Sequence, residues 1–155
     1  MGKQRIEKFR RDILSHKKIG LDSMIFIYQF ADHPLYSSLT EVVFDLLGQG
    51  KLQAITSSIT IAEIFVLPEK VNDQLLISEY EKVFQNLPNL DIVPFDWQLA
   101  RLTSKLRARY PTITTPDAIQ IATALLKNYP AFLTNDKKLQ QIDLLDVIIL
   151  KDYLS

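Results

Sequence analysis

The sequence predicts an α/β fold of three layers, with helices covering both faces of a central parallel sheet of about five strands. Short apolar runs alternate with amphipathic stretches of helical period along the whole chain, the pattern of strands joined by crossover helices. Asp22, Ser58, Asp96 and the triplet Thr134-Asn135-Asp136 follow successive apolar runs, where helix caps or turns are expected. The 155 residues, 47% of them hydrophobic, are enough for one core, and no run approaches the ~20 apolar residues that span a bilayer.

The elements follow in order. Lys3 to Ser15 carries Ile6, Phe9, Ile13 and Leu14 at helical spacing, so residues 1–18 form a basic helical extension ahead of a domain over 19–155. Between Lys3 and Lys18 seven Lys or Arg face only Glu7 and Asp12, a charge of +5; since the formal net charge is zero, the remainder carries −5. Such a helix docks on its own domain, pairs with another chain or meets a polyanion. The apolar run closing at Leu21 is the first strand, and Asp22 or Ser23 starts a helix after it. Tyr36 to Leu47 is helical and is stopped by Gly48-Gln49-Gly50. Gly50-Lys51 lacks the longer spacing of a phosphate-cradling loop. Leu52 to Thr56 is the second strand. A helix from Ser58 to Leu67 is expected to end at Pro68, and another runs from about Asn72 to Leu87. Leu90 to Val93 is the third strand, and Asp96 caps a helix reaching about Tyr110. Thr115-Pro116-Asp117 opens the next helix with a capping threonine, a proline at its first position and an acid in its first turn. Ala131 to Leu133 and Val147 to Leu150 complete the strands.

Composition narrows the chemistry. No cysteine is present, which removes disulfides, zinc-thiolate sites and thiol nucleophiles. The basic N-terminus is not followed by an apolar signal core, so a cytoplasmic protein is expected. Metal ligation is left to oxygen atoms and two histidines, His16 and His33.

Four acids stand near the carboxyl ends of the expected strands, where open α/β sheets place their ligands. Asp22 ends the first strand. Glu63 shares a helix face with Ile59, Val66 and Leu67, Asp117 shares one with Ile121, Ala124 and Leu125, and Asp136 follows the fourth strand. Read singly, each is a cap or a solvated acid, and Asp22 is as well explained as an N-cap. Read together, converging carboxylates repel one another and need a cation. No lysine or arginine lies on the same stripes, so a hard divalent ion, Mg²⁺ or Mn²⁺, is the expected partner.

Four segments carry a family likeness: Leu-Asp-Ser-Met-Ile-Phe-Ile-Tyr at 21–28, Ile-Thr-Ile-Ala-Glu at 59–63, Thr-Pro-Asp-Ala-Ile-Gln-Ile-Ala-Thr-Ala at 115–124, and Leu-Thr-Asn-Asp-Lys at 133–137. Together they resemble the PIN-domain ribonucleases, and among these the VapC-type toxins of toxin–antitoxin pairs, over about residues 19–150. The resemblance implies a PIN-like sheet and a divalent-metal-dependent endoribonuclease. Such enzymes are often homodimers blocked by an antitoxin protein. It makes Asp22 and Asp117 the principal metal ligands, Glu63 a further acid reaching the metal directly or through water, and Asp136 the fourth. Ser23 and Thr134 match hydroxyl positions that orient the ligands, and Asn135 competes with Asp136 for holding a water. Met24 departs from the small polar residue common there. One or two ions would position the scissile phosphate and activate a water for in-line attack.

Arg101, Lys105 and Arg109 recur at helical spacing and offer a basic stripe for RNA, although a solvated face explains them equally well. Tyr28, Phe30 and Trp97 are expected in the core. Two other readings remain: a PIN-like module that binds RNA or protein without cutting, and a housekeeping nuclease with no antitoxin. A phosphatase using Asp22 as nucleophile ranks below these, because Met24 stands where its second aspartate is needed.

Overall fold

The computed structural model describes residues 2–154, so Met1 and Ser155, the outer ends of the two expected segments, lie outside the described residues. Helix α1 (Gly2–His16) leads into strand β1 (Lys18–Leu21), helices α2 (Ser23–Phe30) and α3 (Ser37–Gly48), and strand β2 (Gln53–Ser57). Three helices follow, α4 (Ile59–Ile64), α5 (Val66–Lys70) and α6 (Gln74–Asn86), before β3 (Leu90–Val93). Helices α7 (Trp97–Arg109) and α8 (Thr115–Leu126) precede β4 (Ala131–Thr134) and β5 (Asp146–Ile149); short 3₁₀ helices at Lys137–Gln141 and Leu150–Tyr153 follow these two strands.

The five strands form one sheet in the order β3-β2-β1-β4-β5, and every pair is parallel. Ile19 of β1 sits between Ala54 of β2 and Ala131 of β4. The chain winds outward from β1 through β2 to β3, then returns and winds the other way through β4 to β5. The reversal opens a crevice at the carboxyl ends of β1 and β4. Side chains alternate between two cores. One gathers Phe9, Ile13, Ile19, Phe26 and Leu39 beneath α1, α2 and α3; the other gathers Ile55, Leu99, Leu106, Ile121 and Phe132 beneath α7 and α8. Gly20 permits the second packing: a Cβ there would lie 2.8 Å from Phe132 Cδ1 and 3.0 Å from Ala124 Cβ, so only a glycine lets α8 lie this close to β1.

The basic helix α1 docks on the domain. Phe9 and Ile13 are fully buried, the Phe9 ring meets that of Tyr153 edge-on at 5.0 Å, and Arg5 donates to the Leu154 carbonyl at 2.7 Å.

Several local expectations differ from the structure. The helix expected over Ser58 to Leu67 breaks at Phe65, and Pro68 lies inside α5 rather than ending α4. A proline in the first turn of a helix is tolerated, because its missing N–H has no partner there to lose. Val66 and Leu67 therefore leave the face of Glu63, and each is 59% exposed. The residues that α4 buries are Thr60 and Ile64. The cap of α8 is Thr114, whose hydroxyl accepts from the Asp117 N–H at 3.3 Å, one residue earlier than expected. Trp97, expected in the core, is 81% exposed at the start of α7.

Candidate metal centre

Asp22 occupies the N-cap position of α2 in extended backbone, but its carboxylate makes no capping hydrogen bond. It accepts instead from the Thr134 hydroxyl at 2.7 Å, across from the end of β4, with the Ser23 hydroxyl 3.4 Å from its other oxygen. Asp22 is only 7% exposed. The N-cap reading is therefore set aside, and a buried carboxylate is left facing the crevice. Burial pushes its pKa up to about 6; hydrogen bonds from Thr134 and Ser23 oppose this, while Asp117 and Glu63 add to it.

Those two acids line the same cavity, of about 620 Å³, together with Asp136. Asp117 is half-buried in the first turn of α8. Its pKa is raised chiefly by burial and further by Asp136, against a Thr114 bond and the Lys138 charge. Glu63 is exposed as a residue on α4, but the cavity wall partly desolvates its carboxyl and raises its pKa. The Ser23 hydroxyl lowers that pKa, and the Asp117 charge raises it further. Asp136 caps the following 3₁₀ helix, accepting from the Lys138 N–H at 3.0 Å. Its own N–H donates to Thr134 Oγ1 at 3.2 Å, so one threonine joins the first and fourth acids. Asn135 is fully engaged elsewhere: its amide donates to the Tyr28 hydroxyl at 3.1 Å and accepts from the Lys151 N–H at 2.9 Å.

A buried hydrogen-bond chain sets these elements in place, and sequence reasoning missed it. Thr56 Oγ1 donates to the Leu21 carbonyl at 2.9 Å, just before Asp22, and lies 2.6 Å from Thr60 Oγ1 on the helix of Glu63. Gln120, one turn after Asp117 and 2% exposed, donates to Thr60 Oγ1 at 2.6 Å and accepts from the Ser57 N–H at 3.1 Å. The signal was a glutamine inside the apolar run Ala118-Ile119-Gln120-Ile121-Ala122, a polar group that burial obliges to find partners.

Two further placements bear on the sequence reading. Arg101, Lys105 and Arg109 do not line the cavity; Arg109 pairs with Asp143 at 3.2 Å, and Arg101 bonds Ser104 at 3.2 Å. Cations do lie among the acids, namely Lys137, Lys138 and Lys151, all on the β4–β5 side. Two of them stand directly after Asp136 in the sequence. The stripes of the longer helices do not reveal them, because short 3₁₀ helices carry all three.

The donor set suits a hard divalent ion: carboxylate oxygens, one freed from capping, with burial and mutual repulsion that a cation relieves. As the side chains stand, no three acids or histidines among the described residues close into a cage around one point. The acids nonetheless share a cavity, and the charges of Asp117 and Glu63 reach Asp22.

A sequence model of the PIN domain matches residues 19–145, which is most of the chain. The chain belongs to the PIN domain family. PIN domains are generally nucleases and typically use a divalent metal. Solved structures agree on the fold. This PIN chain superposes on VapBC2 from Rickettsia felis bound to a DNA fragment from its promoter, with a TM-score of 0.68, 20% identity, and 85% of this chain and 98% of that one covered. It superposes on DNA-bound VapBC from Salmonella typhimurium with a TM-score of 0.65 at 20% identity, covering 86% and 98% of the two chains. For FitAcB from Neisseria gonorrhoeae the TM-score is 0.65 at 21% identity, with the same shares covered. No curated protein sequence matches at a significant level. No described helix is long and apolar enough to cross a membrane.

Proposed function

We propose that this PIN domain is a divalent-metal-dependent endoribonuclease, the cytoplasmic toxin of a toxin–antitoxin pair. The observation that carries the reading is Asp22: a buried carboxylate at a helix N-cap position that declines to cap, and instead faces Glu63 and Asp117 in one cavity. Asp22 and Asp117 would hold Mg²⁺ or Mn²⁺, with Glu63 and Asp136 reaching it directly or through water. A bound ion supplies charge neutralisation for the phosphodiester and acidity for a coordinated water. The protein's own part is positional. Thr134 fixes one Asp22 oxygen and anchors the turn of Asp136, Ser23 steadies Asp22 and Glu63, and the Gln120 chain holds β1, α4 and α8 in register. Asp117 and Glu63, partly desolvated, gain the charged form when a cation joins them.

The partner assignment draws on the structural relatives, which are VapBC and FitAB complexes, one from Klebsiella pneumoniae being named a toxin–antitoxin complex. An antitoxin protein is therefore proposed as the partner of this chain, and a homodimeric state is proposed from the family resemblance of its four motif segments.

The test is cleavage of single-stranded RNA by the purified protein with Mg²⁺ or Mn²⁺. Activity should disappear with EDTA and in Asp22→Asn or Asp117→Asn, while circular dichroism shows the fold retained. Metal-dependent cleavage surviving in either variant overturns the site. RNA binding without any cleavage in the wild type would instead favour a non-catalytic module.

A further inference from the structure

The acidic cavity has an uneven wall. Met24 and Pro116 line it without charge, whereas Lys137, Lys138 and Lys151 stand together on the β4–β5 side. The Lys137 ammonium lies 3.7 Å from Asp152, an exposed pair that links the two short helices following β4 and β5. Asn135 adds a second tie between those strand ends through the Lys151 N–H at 2.9 Å. Lys138 and Lys151, one on each laced helix, make no salt bridge among the described residues.

Resting on the nuclease reading, we propose that Lys138 and Lys151 form a phosphate-binding wall. They would hold the RNA phosphate next to the one being cut and so orient the strand across the acids. A metal ion answers the charge of the scissile phosphate, but the neighbouring phosphate needs its own cation within the same cavity. Lysine suits that role as a mobile point charge on a flexible stem. Lys138 also offsets part of the Asp117 charge in the metal-free protein. Arg101, Lys105 and Arg109 do not line the cavity, so the lysines are the cations placed beside this phosphate.

The experiment is fluorescence anisotropy of a randomised 12-nucleotide single-stranded RNA, with Ca²⁺ replacing Mg²⁺, across a KCl series. For the double variant Lys138→Gln/Lys151→Gln, affinity near 0.1 M salt should fall about tenfold. The slope of log K against log[KCl] should flatten by about 0.7, the value for one lost phosphate contact on a single strand. Lys138→Arg/Lys151→Arg should restore both, and Lys127→Gln, at the far end of α8, should change neither. The Lys151 tie to Asn135 runs through its backbone, so glutamine preserves it. An unchanged slope in the double variant overturns the inference while wild-type cleavage keeps the nuclease reading intact. A wild-type protein that neither binds nor cuts RNA brings down that reading, and the wall with it.

Discussion

Replacing Asp22 with asparagine should destroy cleavage and at the same time stabilise the metal-free protein at neutral pH. The carboxylate has its pKa raised from an ordinary 3.8 to about 6, with burial as the main cause. A folded-state value above the unfolded one means the native state binds the proton more tightly. Stability therefore declines as pH rises from about 4 to about 6, and the full penalty is present above that window. A shift of about two units at ~1.4 kcal/mol each gives ~3 kcal/mol at pH 7.5, and at 7% exposure little of it is screened by solvent. Asparagine removes the charge and still accepts from the Thr134 hydroxyl. Thermal unfolding in EDTA should then show a melting temperature roughly 6–12 °C above wild type at pH 7.5, at ~2–4 °C per kcal/mol for a chain of this size. At pH 4 the difference should shrink below ~1 kcal/mol, because wild-type Asp22 is then mostly protonated. A variant no more stable than wild type at pH 7.5, or a gain that does not depend on pH, would refute the assignment of a desolvated charge at this position.

The same logic governs metal. Millimolar Mn²⁺ should raise the wild-type melting temperature at pH 7.5 and much less at pH 5, where Asp22, raised to about 6, holds its proton, and it should leave Asp22→Asn unmoved. Gln120→Leu leaves the Ser57 N–H without its partner and Thr60 with Thr56 alone, for a cost of about 1–3 kcal/mol by denaturant unfolding and a drop in cleavage, while the pH dependence from Asp22 persists. Gly20→Ala forces a contact of 2.8 Å onto Phe132, so unfolding free energy should fall by about 1–3 kcal/mol, with reduced activity as α8 shifts and carries Asp117 away from Asp22. Wild-type stability and activity in that variant would show that α8 has slack.

Much of this architecture was legible because hydrophobic period is a direct imprint of burial. The five strands, the seam at Asp22 and the chain order of the acids follow from which residues avoid water. What escaped reading depends on partners remote in sequence or on exceptions to local rules. Pro68 looked like a helix stop, yet it tolerates a first turn, and the break at Phe65 leaves Leu67 facing water. Gln120 looked like an interruption in an apolar run until Thr60 and Ser57 gave it partners. Lys138 and Lys151 lie 13 positions apart and meet only because β4 and β5 are adjacent. Trp97, large and aromatic, was assigned inward by type alone, and its 81% exposure shows how little residue type decides at a helix start.

The placement of β4 beside β1 bears on when the acids can come together during synthesis. Asp22 takes its backbone partner from Leu133 and its side-chain partner from Thr134, more than a hundred residues downstream. A nascent chain still lacking that strand leaves β1 as an open border of the sheet, with Asp22 short of both partners. Synthesis must pass β4 before Asp22 takes its seat, so the carboxylates gather late, after the segments that carry Asp22, Glu63 and Asp117 have all been made.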